Sequence, residues 1–512
     1  MAERAASALS RGGMESSGAA AAVMGGDRDA AAPGPATATG GAGTLSLTAL
    51  TALVVGSMIG GGIFSLPQAF ARSSGVLGSV VAWAIAGTGM LTLALVFQTL
   101  SRRRPDLDAG VYAYAEAGFG PYLGFLSALG YWASACLGNV SFLLLGVSTL
   151  GGVVPVLGEG DTPAAALLAS VILWGFHFML LRGVKEAAAI NTVVTIAKVV
   201  PILVFLVVAG AALRADLFTA NVWGGVVPSW SALAEQVRGT LLITVFVFIG
   251  IEGASVYSRY ARRRRDVGLA TVLGFACVLA LLTLVTLLPY GILPRAEIAG
   301  LHNPSMAGIL GAILGRWGSA FVGLGVLVSV LGAFLSWSLL AAEVLSTAAR
   351  QGTMPRFLAG ENANGAPAAA LWLTNGAVQV FLLVTLLGES ALRLAMELTS
   401  GMSLLPYLLV AAFGLQLAWR GETYAADPRA RRVDFALAMV ATLYAAFLIL
   451  FGGPKYVLLS AILYAPGTLL YLRARRERRL TAFTRTEGAL LGIVCLAAVG
   501  AALALASGAL PL

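Results

Sequence analysis

Thirteen apolar runs, each near or above the ~20 residues that a helix needs to cross a bilayer, succeed one another at 45–70, 77–100, 111–150, 163–181, 189–213, 237–258, 267–290, 316–348, 368–388, 391–417, 434–451, 455–472 and 487–508. Polar segments with turn residues, such as GEGD (158–161) and FGGPK (451–455), divide them. The third and eighth runs exceed one span, so each predicts a strongly tilted helix or a span with a membrane-surface piece attached. The pattern predicts an all-α polytopic membrane protein with 12–13 transmembrane helices.

Composition sharpens that reading. The chain is 58% hydrophobic and 11% charged, against about 25% charged in ordinary soluble domains. No water-soluble fold could hide so much apolar surface. Residues 1–43 are Ala/Gly/Ser-rich with no apolar period, which predicts a disordered cytoplasmic tail. Met14 and Met24 leave the start of translation open. Cys136, Cys277 and Cys495 all fall in apolar stretches at no metal spacing, as small buried side chains do. No cofactor is indicated.

The net charge of +9 raises nucleic acid as a partner, and the placement of the charge argues against it. With the N-terminus inside, 25 of the 33 Lys and Arg fall on the tail and on cytoplasmic stretches such as SRRRPD, RGVKE, SRYARRRRD and RARRERR. Seven sit on the outer side, and Lys198 is inside a span. That asymmetry predicts a cytoplasmic N-terminus and, with thirteen spans, an outer C-terminus. The run ARRRRDVG (261–268) reads as the same inside-positive anchor against membrane lipid.

Two spans are interrupted where a helix should be strongest. The first holds Gly60, Gly61 and Gly62, and the sixth holds Gly250 and Gly253 around Glu252. Glycine weakens a helix by roughly 1 kcal/mol relative to alanine. Breaks five spans apart are the signature of an inverted repeat of five plus five helices, each half opened by a discontinuous helix. Unwound backbone in lipid needs partners, and an amino acid's charged ends can supply them. The half-helix after Gly62 offers N–H groups and a positive dipole end to an α-carboxylate. Carbonyls near Phe248 and Ile249 can accept from an α-ammonium. Close helix packing is the competing use of such glycines.

Four segments carry a family resemblance: GSMIGGGIFSLP, ACLGNVSFLLLGV (135–147), FIGIEGASVYSR (248–259) and LGAFLSWSLLAAEVL (331–345). Together they resemble the amino acid–polyamine–organocation superfamily, over residues 45 to 475. Within it the chain is most similar to the basic amino acid/polyamine antiporters, which include arginine/ornithine and arginine/agmatine exchangers. The resemblance implies a LeuT-like fold: repeats at 44–213 and 214–420, then accessory helices at 421–512. It implies a multi-pass protein of a bacterial inner membrane, a cationic amino acid as substrate, and a homodimer as an open possibility. By the same resemblance, Met58, Ile59, Gly60, Gly61 and Gly62 hold the carboxylate. Asn139 meets the substrate side chain, with Ala135 and Cys136 on the same wall. Phe246 stands where a tryptophan stacks on guanidinium. Trp337 is the middle gate, and Thr399 lies near a hydroxyl that faces substrate. Glu252, Trp132 and Tyr407 form a gate triad, with Trp132 in place of a tyrosine.

Isolated charges within spans leave alternatives open. Lys198 can stand in for a sodium ion, carry a coupling proton in a proton-coupled symporter, or snorkel to an interface. Glu343 can line the cytoplasmic path and Glu397 can attract a cation, or both can be structural. Glu116 reads as a surface residue. His177 and His302 belong to no metal constellation. A membrane sensor without transport would usually need a larger soluble domain than these loops hold. An intramembrane enzyme would need a nucleophile–base pair that the sequence does not show.

Overall fold

The computed structural model describes residues 46–107, 110–183, 187–252, 264–386, 390–425 and 427–510. Chain contacts separate Met1–Ala36 from Thr37–Leu512. The expected cytoplasmic tail, Gly253 and most of the ARRRR run lie outside the described residues. Every helix below belongs to the second unit.

Among the described residues all regular structure is helical. The order is α1 Leu47–Met58, a tight turn Gly61–Ser65, α2 Leu66–Ala71, α3 Val76–Arg103, α4 Val111–Phe119, α5 Pro121–Gly151, α6 Pro163–Leu181 and α7 Ala187–Ala211. Then come α8 Ala215–Ala220, α9 Trp230–Arg238, α10 Leu241–Phe248, α11 Arg264–Leu287, α12 Arg295–Ala299, α13 Ser305–Leu314 and α14 Arg316–Gln351. The chain closes with α15 Ala368–Thr385, α16 Ala391–Arg420, α17 Pro428–Phe447, α18 Pro454–Glu477 and α19 Arg485–Ala506.

A helix stands at each of the thirteen apolar runs. Among the described residues ten spans are long and apolar enough to cross a membrane, and the bent pair Leu50–Met58 and Gly61–Ala71 makes an eleventh. The described apolar parts of α7 and α15 are shorter, Lys198–Ala211 and Ala368–Val384. The long third run is two helices, because Gly120 turns the chain at φ +93° and Pro121 opens α5. The eighth is one helix of 36 residues. The sixth begins earlier than its apolar run, with α9 and α10 parted at Gly239 and Thr240.

Local chemistry sets the helix ends. Thr162 caps α6 just before Pro163, and Asp427 caps α17 just before Pro428. Thr484 and Glu487 form a capping box on α19, and Glu487 also accepts from the Tyr122 N–H at 3.1 Å. That second bond fastens the start of α5 to α19. Helix α5 is the hub, packed against α14, α15 and α16. Its apolar window is 89% buried against 11% for α19, so α5 belongs to the core and α19 to the rim. The chain is thus an all-helical polytopic membrane protein with a LeuT-like order of spans.

The first expected break is present, and the second is described as far as Glu252. Helix α1 stops at Met58, Gly60 is extended (φ −102°, ψ −172°), and the chain resumes at a 55° bend. Helix α10 stops at Phe248, and the next bonds are tight ones, from Ile249 to Phe246 and from Ile251 to Phe248. The two breaks touch each other. Gly250 has φ +106°, and a Cβ there would lie 2.5 Å from the Ser57 carbonyl oxygen. No L side chain fits that position, by conformation or by space.

Candidate functional site

The three glycines of the first break are not equivalent. A Cβ on Gly60 would meet nothing closer than the Phe142 ring at 3.9 Å. One on Gly61 would press on Val330 at 2.9 Å and Phe142 at 3.1 Å. One on Gly62 would enter the Phe246 ring, 2.8 Å from Cδ1 and nearer still to Cε1. Phe246 therefore lies flush on the backbone of the break, which only glycine allows.

Beside this contact is a narrow void, with walls of Gly62, Ser65, Ser141, Phe142, Leu145, Phe246, Leu392 and Met396 that stand too close to seat a water molecule. Ser65 Oγ is buried in this wall without a hydrogen-bond partner among the described residues. Deeper along α5, Asn139 donates to Ser338 Oγ at 3.2 Å, while its own carbonyl Oδ1 is buried and unpartnered. The first N–H groups of the Gly61–Ser65 turn find no acceptor within the turn itself. A buried hydroxyl and a cation-accepting ring thus meet at one narrow space beside the break.

Of the residues expected to bind, Gly62 and Phe246 line the void, and Gly60, Gly61, Met58 and Ile59 form the break beside it. Others point elsewhere. Phe248 stacks on Phe275 at 5.0 Å and meets Trp83 edge-on at 6.0 Å, so its ring belongs to the core and only its backbone to the break. Ile249 follows it in the turn. Cys136 Sγ contacts the Thr374 carbonyl at 3.9 Å on α15, and Ala135 beside it is buried. The Thr399 hydroxyl is used on the Ala395 carbonyl at 2.7 Å. Trp337 is half-buried and does not line the void; its neighbour Ser338 faces Asn139. Ser65, Ser141, Phe142, Leu145, Leu392 and Met396 were not singled out by the sequence. Phe142 stands three residues after Asn139, on the same face of α5, and that spacing is the signal that could have found it.

A second layer closes the other side. Glu252 accepts from the Tyr131 hydroxyl at 2.5 Å, from the Tyr407 hydroxyl at 3.0 Å and from the Gly250 N–H at 3.3 Å. This corrects the expected triad. The phenol on Glu252 comes from Tyr131, whereas the Trp132 indole donates to Thr374 Oγ1 at 3.0 Å. One residue along a helix is about 100° around it, enough to turn Trp132 toward α15. On both α5 and α16 this cluster lies ten or so residues from the void, roughly 15 Å along the helix axis.

Lys198 is half-buried on α7 and has no hydrogen-bond partner among the described residues. Glu343 pairs with Arg350 at 2.6 Å, and Glu116 accepts from Thr353 at 3.1 Å. At the α10 end opposite Glu252, a cavity of about 490 Å³ opens between α9, α10, α12, α16 and the turn into α18. Leu242 lines that cavity, and Phe246, one helical turn further, lines the void.

The comparisons agree with this architecture. The family model described as amino acid permease matches residues 45–469. The arginine/ornithine antiporter of Pseudomonas aeruginosa is 52% identical over 474 residues, covering 91% of this chain and 98% of the relative. The L-lysine transport protein of Corynebacterium glutamicum is 38% identical, covering 92% and 96%. The arginine/agmatine antiporter of Chlamydia caviae is 37% identical, covering 89% and 95%. A match over most of the chain, together with a first apolar helix that breaks at Gly60 and meets the end of α10, places this protein in the amino acid permease family of the amino acid–polyamine–organocation superfamily.

Proposed function

We propose that the chain exchanges cationic amino acids across a bacterial cell membrane, arginine against ornithine, by alternating access. The observation that carries this reading is the Phe246 ring lying on Gly62 at the break in the first span. The break takes the α-carboxylate, and the ring takes the cationic side chain through a cation–π contact. Asn139 Oδ1 supplies an acceptor for side-chain N–H groups. The Glu252 cluster is the inner gate, and the narrow void is the occluded centre between that gate and the cavity on the other side. Repeats at 44–213 and 214–420 rock against each other around the fixed site. The N-terminus is cytoplasmic, and the exposed apolar face of α19, with Ile493, Leu496 and Leu503, meets lipid. The names of the relatives support this substrate class.

The test is uptake of labelled arginine into proteoliposomes, with ornithine inside or absent. Uptake should need internal ornithine and should fall in Phe246→Leu. Uptake driven by a proton gradient, with no need for ornithine and lost in Lys198→Ala, would replace exchange with proton-coupled symport.

A further inference from the structure

The open cavity has the ~300–1,000 Å³ size of small-molecule sites and carries both signs of charge: Glu235, Arg238, Arg295, Arg393 and Glu397. These groups differ in what they are free to do. The Arg295 guanidinium is held by the carbonyls of Ala71 (2.7 Å), Gly224 (2.6 Å) and Arg72 (3.2 Å), so it clamps the rim. Glu235 and Arg238 are exposed on α9. Glu397 and Arg393 stand at the neck. Each follows directly on a residue that lines the void, Met396 and Leu392. Their side chains are 11% and 32% exposed, and Glu397 Oε1 accepts from Arg393 Nε at 2.7 Å. The other oxygen, Oε2, accepts from the Tyr456 hydroxyl. Arg393 has a second, longer bond to Ser73 Oγ at 3.4 Å.

We propose that Glu397 selects cationic amino acids at this neck, by exchanging its partner Arg393 for the substrate's cationic side chain. The inference rests on the proposed exchange of cationic amino acids. Withdrawing Arg393 alone would strand a mostly buried carboxylate, which is costly. A guanidinium or ammonium that enters side chain first replaces that partner as it leaves. The released Arg393 then takes the trailing α-carboxylate, so every charge keeps a counter-charge throughout. A neutral side chain cannot make this swap. Glu397 is thus a specificity-determining residue beside the void, level with Met396 on a neighbouring face of α16.

The experiment compares arginine with citrulline, its neutral isostere, as external substrates of the full-length protein in proteoliposomes loaded with ornithine. Glu397→Gln should raise the KM for arginine by at least about tenfold while leaving the maximal rate near the parent value. The KM for citrulline should hardly move, so the preference for the cation collapses, and Glu397→Asp should restore part of it. Arg393→Gln, which frees the carboxylate, should lower the arginine KM and leave citrulline unchanged. This second variant decides the matter if Glu397→Gln does not reach the membrane. Equal effects on arginine and citrulline in either variant would overturn the proposal and make the pair a structural brace. Loss of arginine exchange by the parent protein would instead sink the underlying functional reading.

Discussion

Replacing Gly62 by alanine should damage exchange far more than the same change at Gly60, two residues away. The added Cβ would sit 2.8 Å from Phe246 Cδ1, closer still to Cε1, and 3.2 Å from Val247. Ordinary contact begins near 3.4 Å, so the ring must withdraw by roughly 1 Å, an overpacking of the kind that costs about 1–3 kcal/mol. The ring would then press into the narrow void, where the substrate would lie. Even 2 kcal/mol charged against binding is about a 30-fold loss of affinity. Gly60, already extended and with its nearest obstacle 3.9 Å away, should accept alanine with little change. Arginine/ornithine counterflow in proteoliposomes, normalised to purified protein, measures both variants. Gly62→Ala/Phe246→Leu should regain part of the lost rate, since the smaller side chain restores room for the methyl group. Parent-like exchange in Gly62→Ala, or equal damage at positions 60 and 62, would refute the packing argument.

The remaining predictions concern the closing layers and the loops. Tyr131→Phe, which removes the 2.5 Å bond to Glu252, should alter exchange. Trp132→Phe should lose only its bond to Thr374, about 1 kcal/mol of stability, and keep transport; similar kinetic defects in both would undo the gate assignment. Arg103→Met removes an ion pair to Asp434 (3.2 Å) and a cation–π contact with Tyr424 (3.6 Å). It should destabilise the purified protein by about 3 kcal/mol, read by denaturation in detergent, with Arg103→Met/Asp434→Asn milder than the single change. In the loops, Glu159 lies 3.5 Å from His302 and raises the histidine's pKa, while His302 lowers that of Glu159. The histidine's contribution to stability is present below its unfolded value near 6.5 and fades as pH rises through its raised folded value. The carboxylate's is present above its unfolded value near 4.3 and fades as pH falls through its lowered folded value. The pair is therefore strongest between roughly pH 4.3 and 6.5. The chain has only two histidines, so isotope-labelled histidine resolves the titration; Glu159→Gln should bring the His302 midpoint down, and an unchanged midpoint would dismiss the pairing.

The features legible in the sequence were those that break a pattern. Gly60–Gly62 and Gly250 interrupt apolar runs, and the chain leaves its helix at both places. Glu252 stood out because glycines flank it, and Phe246 through the family resemblance. What escaped notice was the direction in which residues of an uninterrupted buried helix point. Helix α5 is apolar on every side, so it carries no amphipathic phase to orient it. Trp132 therefore stood for Tyr131, and Phe142 and Ser141 went unnoticed. Helices α14 and α10 likewise give no sign of which of their faces meets the void. Glu397 left open a role in attracting a cation, and its pairing with Arg393 beside a cavity emerges only in the fold.

A cryo-EM map of the protein with saturating arginine bears on the central claim most directly. The account predicts ligand density between the two breaks, its carboxylate within ~3.2 Å of the N–H groups at Gly61–Ile63 and its guanidinium against the Phe246 ring, in a widened void. Arginine bound elsewhere, with Phe246 still flush on Gly62 and the void still shut, would contradict it.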